Sequence, residues 1–272
     1  MVNLVLSGGA IKGFCYVGLL RFLEENESFK KSITTLVGTS IGAFSCMIIA
    51  LGYSYKVISE VLMKYDASYI SSPRLRCIIE NGCLDKGENL EKFVKTFIKK
   101  KFNENITLSE FYLKTGKNLA LCVTCVDNSN IVFLDHLNFP DMPLYLAVSA
   151  SMRIPYIFQN LEYLGKFYCD GVLVGNLPIR YITKDNPEKT YCFSFENKSQ
   201  DTEFILKIPI EMLGKYNREY ASSIDADIIT ITIPEEIKVH LFSFEVDEKD
   251  KTALIELGYT YINTFFENKK TP

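Results

Sequence analysis

Thr34-Thr35-Leu36-Val37-Gly38-Thr39-Ser40-Ile41-Gly42-Ala43-Phe44 runs from an apolar β pattern through Gly-x-Ser-x-Gly into small and apolar residues that suit a helix. The stretch reads as a strand, a sharp turn and a helix, with Ser40 on the turn as a candidate nucleophile. A serine held in a strained conformation there needs neighbours without Cβ two positions away on both sides, here Gly38 and Gly42. The helix that follows adds free N–H groups and a partial positive charge, which favour negative charge developing beside Ser40. Strand-to-helix turns with no chemistry use similar residues, so the pentapeptide alone leaves both readings open.

Upstream, a strand from Val2 to Leu6 ends in Ser7-Gly8-Gly9-Ala10-Ile11-Lys12-Gly13, and a helix from about Lys12 to Glu25 carries Phe14, Val17, Leu20 and Leu23 on one side. Such a glycine turn presents N–H groups to anions. A phosphate-cradling loop would end in Gly-Lys-Ser/Thr, but Gly13 is followed by Phe14-Cys15. A dinucleotide site would place an acid at the end of the second strand, which instead ends in Gly38-Thr39-Ser40. An oxyanion hole built from the N–H groups of Gly8, Gly9 and Ala10 fits better, because consecutive parallel strands deliver their turns to one edge. Lys12 is either solvated at the helix start or shapes the turn and attracts an anionic headgroup.

Downstream, helical spacing predicts helices from Tyr55 to Tyr69, Glu88 to Lys101, Leu144 to Ser151 and Asp250 to Glu267. Strands are predicted at Leu119 to Val126, Ile131 to Leu134, Lys166 to Cys169, Thr190 to Phe195 and Asp227 to Ile233, with an exposed loop from Glu196 to Glu203. Strands and helices alternate, which predicts an α/β layered domain. With 272 residues, 47% of them hydrophobic, the chain can bury one full core, and a single domain over 1–272 is expected.

A net charge of −3 lacks the basic footprint of a nucleic-acid binder, so no nucleic-acid partner is expected. Met1 to Leu6 meets Ser7-Gly8-Gly9 with no basic n-region, and the apolar run Ile41 to Leu51 falls short of the roughly 20 residues that span a bilayer. The expectation is an intracellular protein, soluble or peripherally membrane-associated. Such contact would be weak and partly electrostatic, through Arg74/Arg76, Lys99 to Lys101 and Lys269-Lys270. Lys99 to Lys101 also serve as a solvated cap on their helix.

Cys122-Val123-Thr124-Cys125 has the spacing of half a zinc site, but residues three apart on a strand point to opposite faces. Eight cysteines with only His136 and His240 to join them read as reduced core residues, and neither metal nor cofactor is expected. An α/β-hydrolase Ser-His-Asp triad needs several strands before the nucleophile, and here only one precedes the strand that carries Ser40. Each histidine reads as structural or solvated. Asp170 differs, since a strand delivers it into Asp170-Gly171, where glycine lets a carboxylate approach another loop. Asp-Gly is also a common turn.

Together these motifs resemble the patatin-like phospholipases. Gly8-Gly9-Ala10-Ile11-Lys12-Gly13 is similar to the family's Gly-Gly-Gly-x-Lys/Arg-Gly, Gly38 to Gly42 to its Gly-x-Ser-x-Gly, and Asp170-Gly171 to its Asp-Gly-Gly/Ala. Ala147 to Phe158 resembles its Ala-x-x-Ala-Ser-x-x-Ile-Pro-x-x-Phe block, and Asn176-Leu177-Pro178 its Asn-x-Pro. The resemblance implies a mostly parallel central sheet flanked by helices and a Ser40–Asp170 dyad with no catalytic histidine. It also implies a lipid acyl hydrolase acting on a phospholipid or lysophospholipid. A catalytically silent lipid-binding protein of the same fold, or a neutral-lipid esterase or acyltransferase, are the alternatives. Two positions depart from the family pattern. Ala10 replaces the third glycine of the oxyanion motif, where the hole is expected to survive if no positive φ is required, and Val172 adds bulk beside the dyad.

Overall fold

The computed structural model describes residues 1–64, 66, 70–71, 77–78, 82–197, 219–237 and 246–270. Arg74, Arg76, His240, the end of the Tyr55–Tyr69 helix and most of the 196–203 loop lie outside the described residues. The strands are β1 (Val2–Leu6), β2 (Ile33–Thr39), β3 (Asn118–Cys125), β4 (Asn130–Leu134), β5 (Leu161–Tyr163), β6 (Lys166–Asp170), β7 (Lys189–Asn197) and β8 (Ala226–Ile233). They form one sheet in the order β5-β6-β3-β2-β1-β7-β8, with β4 also paired to β3. β3, β2, β1, β7 and β8 run parallel, whereas β4 and β6 are antiparallel to β3 and β5 is antiparallel to β6. The expected α/β architecture, mostly parallel and flanked by helices, is what forms.

The central strands are buried on both faces, and their side chains divide with a period of two. Leu4, Leu6, Leu36, Leu121 and Phe193 enter the larger core cluster, while Val5, Val37, Ala120 and Cys192 meet Leu177, Ile179 and Ile182 on the other face. Around the larger cluster pack α1 (Cys15–Glu25), entered through a 3₁₀ turn at Ala10–Phe14, then α2 (Glu27–Ser32), α3 (Ile41–Ala50) and α4 (Tyr55–Met63). α5 (Glu88–Lys99), α6 (Leu108–Thr115), α7 (Leu144–Ser151), a one-turn α8 (Val172–Gly175) and α9 (Glu248–Lys270) complete the helices described here.

Local chemistry explains several of these limits. α5 has Glu88 and Glu91 in its first turn and Lys99 in its last, which suits the helix dipole. α6 starts at a capping box in which Thr107 accepts from the Glu110 N–H and Glu110 accepts from the Thr107 N–H. The basic clusters are partly engaged within the fold. Lys99 pairs with Glu104 at 3.7 Å, Lys101 lies over the Tyr53 ring, and Lys269 pairs with Asp227. No described helix is long and apolar enough to cross a membrane.

Candidate active site

β2 ends at Thr39 and α3 begins at Ile41, leaving Ser40 on the turn with φ 55° and ψ −124°. For a residue with a Cβ this backbone is strained. Gly38 and Gly42 permit it by letting α3 fold straight back onto the sheet. A Cβ on Gly38 would lie 2.5 Å from the Gly42 carbonyl oxygen, and one on Gly42 would lie 2.3 Å from the Leu6 carbonyl oxygen. Close backbone approach is therefore the cause of both glycines.

Sheet register brings Asp170 to this turn. β4 covers one edge of β3 from Leu121 to Cys125, so β2 and β6 share the other edge end to end. Thr39 pairs with Cys122, and Asp170 pairs with the next residue, Val123. Ser40 leaves the sheet at that junction. Ser151, at the end of α7, spans the gap: its hydroxyl accepts the Ser40 N–H at 2.9 Å and donates to the Cys122 carbonyl at 2.7 Å. The Asp170 backbone is fixed on both sides, its N–H donating to the Arg153 carbonyl and its own carbonyl accepting from Thr124 Oγ1, each at 2.9 Å.

The Asp170 carboxyl is fully buried. Its Oδ1 accepts the Val172 N–H at 2.9 Å, and its Oδ2 has no hydrogen-bond partner among the described residues. Burial pushes its pKa up to about 7, opposed by the nearby Ser40 hydroxyl and the Val172 N–H. The hydroxyl is close enough to favour the carboxylate, yet in the resting site it stops short of a hydrogen bond to the unpartnered Oδ2. Catalytic hydrogen bonds commonly tighten only when substrate is bound.

The Gly8 N–H donates to the Asn176 carbonyl at 3.0 Å, which corrects its expected place in an oxyanion hole: Gly8 is not a free donor. Among the described residues, no acceptor takes the N–H groups of Gly9 or Ala10. Ala10 has φ 47°, so alanine occupies a left-handed position where glycine would be unstrained, and it keeps its N–H. Beneath this loop the Tyr16 hydroxyl donates to the Ser7 carbonyl at 2.9 Å. Lys12 is buried rather than solvated, and desolvation lowers its pKa despite the neighbouring Cys15. Gly13 packs against Ile41 of α3, where a Cβ would lie 2.1 Å from Ile41 Cγ1. Gly171 sits in the same way against the Cys122 carbonyl.

Ser40 and Ala10 open onto a cavity of about 130 Å³. Phe14, Val17 and Leu20, Phe44 and Ile48, and Ile58 and Leu62 line it, from α1 and its lead-in turn, α3 and α4 respectively. Among the described residues no charged side chain lines it, and Val172 does not reach it. His136 stacks on Tyr112 at 3.8 Å and is no part of this lining. Cys125 joins the larger core, whereas Cys122 faces Gly171 and Gly175 on the other side, so the two thiols diverge as their strand spacing predicts. Sequence reasoning missed the bridging role of Ser151, the clamp by Tyr16 and the anchoring of Asp170 by Arg153. Ser151 lies within the quoted family block, but only the register of β3 shows which gap it spans.

A patatin-like phospholipase family model matches residues 4–183. A protein of Invertebrate iridescent virus 6 named probable lipid hydrolase 463L is 31% identical over 69% of this chain and 67% of its own. An uncharacterized protein of Acanthamoeba polyphaga mimivirus is 29% identical over 94% of this chain and 90% of its own. Among solved structures, VipD of Legionella pneumophila superposes with a TM-score of 0.62 at 17% identity, over 98% of this chain and 66% of that one. The type III effector protein ExoU, of Pseudomonas aeruginosa, gives 0.61 at 14% identity, over 99% of this chain and 53% of that one. The chain thus spans about two-thirds of VipD and about half of ExoU. It belongs to the patatin-like phospholipase family, a family of lipid hydrolases.

Proposed function

We propose that the chain cleaves an acyl ester of a phospholipid or lysophospholipid through a Ser40–Asp170 dyad. One observation carries this reading: the sheet register sets a strained serine beside a buried carboxylate, at the mouth of an apolar cavity. Ser40 Oγ attacks the ester carbonyl while its proton passes to Asp170, and the N–H groups of Gly9 and Ala10 stabilise the oxyanion. The tetrahedral intermediate collapses to a Ser40 acyl ester. The alcohol portion leaves with the proton that Asp170 had taken. Water then attacks the acyl-enzyme, Asp170 again taking the proton, and the fatty acid is released as Ser40 is restored. The chemistry calls for no metal.

Peripheral contact with a lipid surface belongs to the same proposal, because the substrate resides in one. A second reading, a neutral-lipid esterase, draws on the cavity wall, where the described residues include no charged one to select a phosphate. A fluorophosphonate probe tests the mechanism: wild type should label and Ser40→Ala should not. A folded wild type that resists the probe would return the chain to the silent lipid-binding reading. Mass spectrometry of the products from mixed vesicles of phosphatidylcholine, lysophosphatidylcholine and triacylglycerol separates the substrate classes.

A further inference from the structure

The segment between α7 and β6 faces two ways. Ile154, Ile157 and Phe158 line the cavity, while Tyr156 in their midst is 84% exposed. Tyr156 also has φ 68°, a left-handed conformation that a bulky aromatic adopts only under constraint. Leu164 repeats the combination, 81% exposed with φ 51°. With Gly165 at φ 72°, Leu164 makes the two-residue loop of the β5–β6 hairpin, a turn with two positive φ values that ordinarily takes Asn-Gly or Asp-Gly. Leucine there is strained and exposes apolar surface, and the turn itself requires neither. Phe167, outward on β6, and Val126, whose N–H donates to the Phe167 carbonyl at 2.8 Å, are exposed as well. The hairpin's ionisable groups, Glu162 and Lys166, have opposite charges, and among the described residues neither makes an ion pair.

We propose that this hairpin and Tyr156 dock the protein on a lipid surface, seating Leu164, Phe167 and Tyr156 in the headgroup layer beside the cavity. The proposal rests on the lipid-hydrolase reading above. Three observations favour lipid over a second copy of the chain. Tyr156 stands between Ile154 and the Ile157-Phe158 pair of the cavity wall, so a lipid surface that seats its ring lies next to the apolar cavity. Glu162, Lys166 and Asp127, whose carboxylate accepts the Phe167 N–H at 2.9 Å, give this surface no net positive charge that would select anionic lipid, and a tyrosine ring suits an interface that is apolar on one side and wet on the other. The edge strand β5 spans only Leu161–Tyr163, which is short for sheet pairing between copies.

The test uses Leu164→Asn and Tyr156→Gly, alone and together, in the full chain. Both replacements suit a positive φ, so each variant should melt at or above the wild-type temperature. Binding to phosphatidylcholine vesicles is read by co-sedimentation in a Ser40→Ala background, where nothing is hydrolysed. Each substitution should weaken binding about tenfold and the pair about a hundredfold, as expected for independent loss of two inserted apolar side chains. Hydrolysis of a soluble short-chain nitrophenyl ester, with Ser40 present, should stay within about twofold of wild type. The docking proposal is overturned by a parent protein that does not bind the vesicles, or by a double variant that binds within about threefold of its parent. It is equally overturned if the substitutions convert a dimer to a monomer, which would give the surface to a second copy. The soluble-ester arm reports the Ser40 chemistry separately, so its failure would count against the enzyme reading and leave the vesicle result intact.

Discussion

Asp170→Asn is expected to abolish turnover and at the same time to stabilise the folded protein at neutral and alkaline pH. The carboxyl is fully buried and its pKa is pushed up to about 7 from the ordinary 3.8. Below about pH 3.8 both the folded and the unfolded chain hold this proton, and the carboxyl takes nothing from stability. As pH rises toward 7 the unfolded chain ionises while the folded chain does not. Stability present in full at low pH is therefore lost as pH climbs through about 7. About three pH units at ~1.36 kcal/mol each amount to roughly 4 kcal/mol. Asparagine has no proton to lose. Its oxygen can keep the Val172 N–H, and its amide can donate to the Ser40 hydroxyl in place of the unpartnered Oδ2. The variant should exceed wild type by roughly 2–4 kcal/mol at pH 8 and by less than about 1 kcal/mol at pH 4. At roughly 2–4 °C per kcal/mol for a chain of this size, the melting temperature at pH 8 should rise by about 4–16 °C. Urea titrations at the two pH values, alongside ester turnover, read both effects. A gain of the same size at both pH values, or none at pH 8, would refute the argument from the buried carboxyl.

Because nucleophile and base act as a unit, Ser40→Ala, Asp170→Asn and the double variant should lose nearly the same large fraction of turnover; multiplicative losses would separate the two residues. Replacing His136 and His240 together by Gln should leave turnover within about tenfold of wild type, since general-base catalysis alone is worth about 10²–10⁴-fold. A thousandfold collapse with the fold intact by circular dichroism would move the proton to a histidine. Ser151→Ala strands the Ser40 N–H and the Cys122 carbonyl, and at about 1–3 kcal/mol per buried orphan the expected loss is about 2–6 kcal/mol in a urea titration; wild-type stability would show the bridge to be dispensable. Ala10→Gly removes about 1–2 kcal/mol of left-handed strain and restores about 0.4–1 kcal/mol of unfolded-chain freedom. A net gain of up to about 1.5 kcal/mol with turnover preserved is expected, and a clear destabilisation would contradict the strain.

What the chain reveals in one dimension is mostly local. The helix Leu144–Ser151 was legible to the residue, and the strand Val2–Leu6 needed no tertiary help because its four apolar residues run straight into Ser7-Gly8-Gly9. The capping box of Thr107 and Glu110 was equally readable, yet α6 is not among the helices that spacing predicts. β5 gave no signal, since Leu161-Glu162-Tyr163 is too short to show a period. The site divides in the same way. Ser40 was visible because its strain demands nearby glycines. The junction of Thr39 with Asp170 was not visible from the residues themselves, because it depends on which edge of β3 is left open by β4. The two readings of Lys12 stayed open for a related reason: a cation at a helix start looks solvated until the rest of the fold closes over it.

A dyad without histidine has to make a carboxylate basic enough to take a proton from serine, and at an ordinary pKa near 4 it is a weak base for that work. Burial raises the basicity, but only while the carboxylate is denied compensating donors. The surroundings of Asp170 meet both conditions. Its backbone is held by Arg153 and Thr124, so the side chain does not need hydrogen bonds of its own to stay in place. Among the described residues Oδ1 receives a single N–H and Oδ2 receives none. The site thus separates positioning, done through the main chain, from basicity, left to the side chain. A further donor to Oδ2 would settle the folded state and lower the pKa together. The same bond would weaken the base, so the stability withheld at Asp170 is a condition of the proposed chemistry.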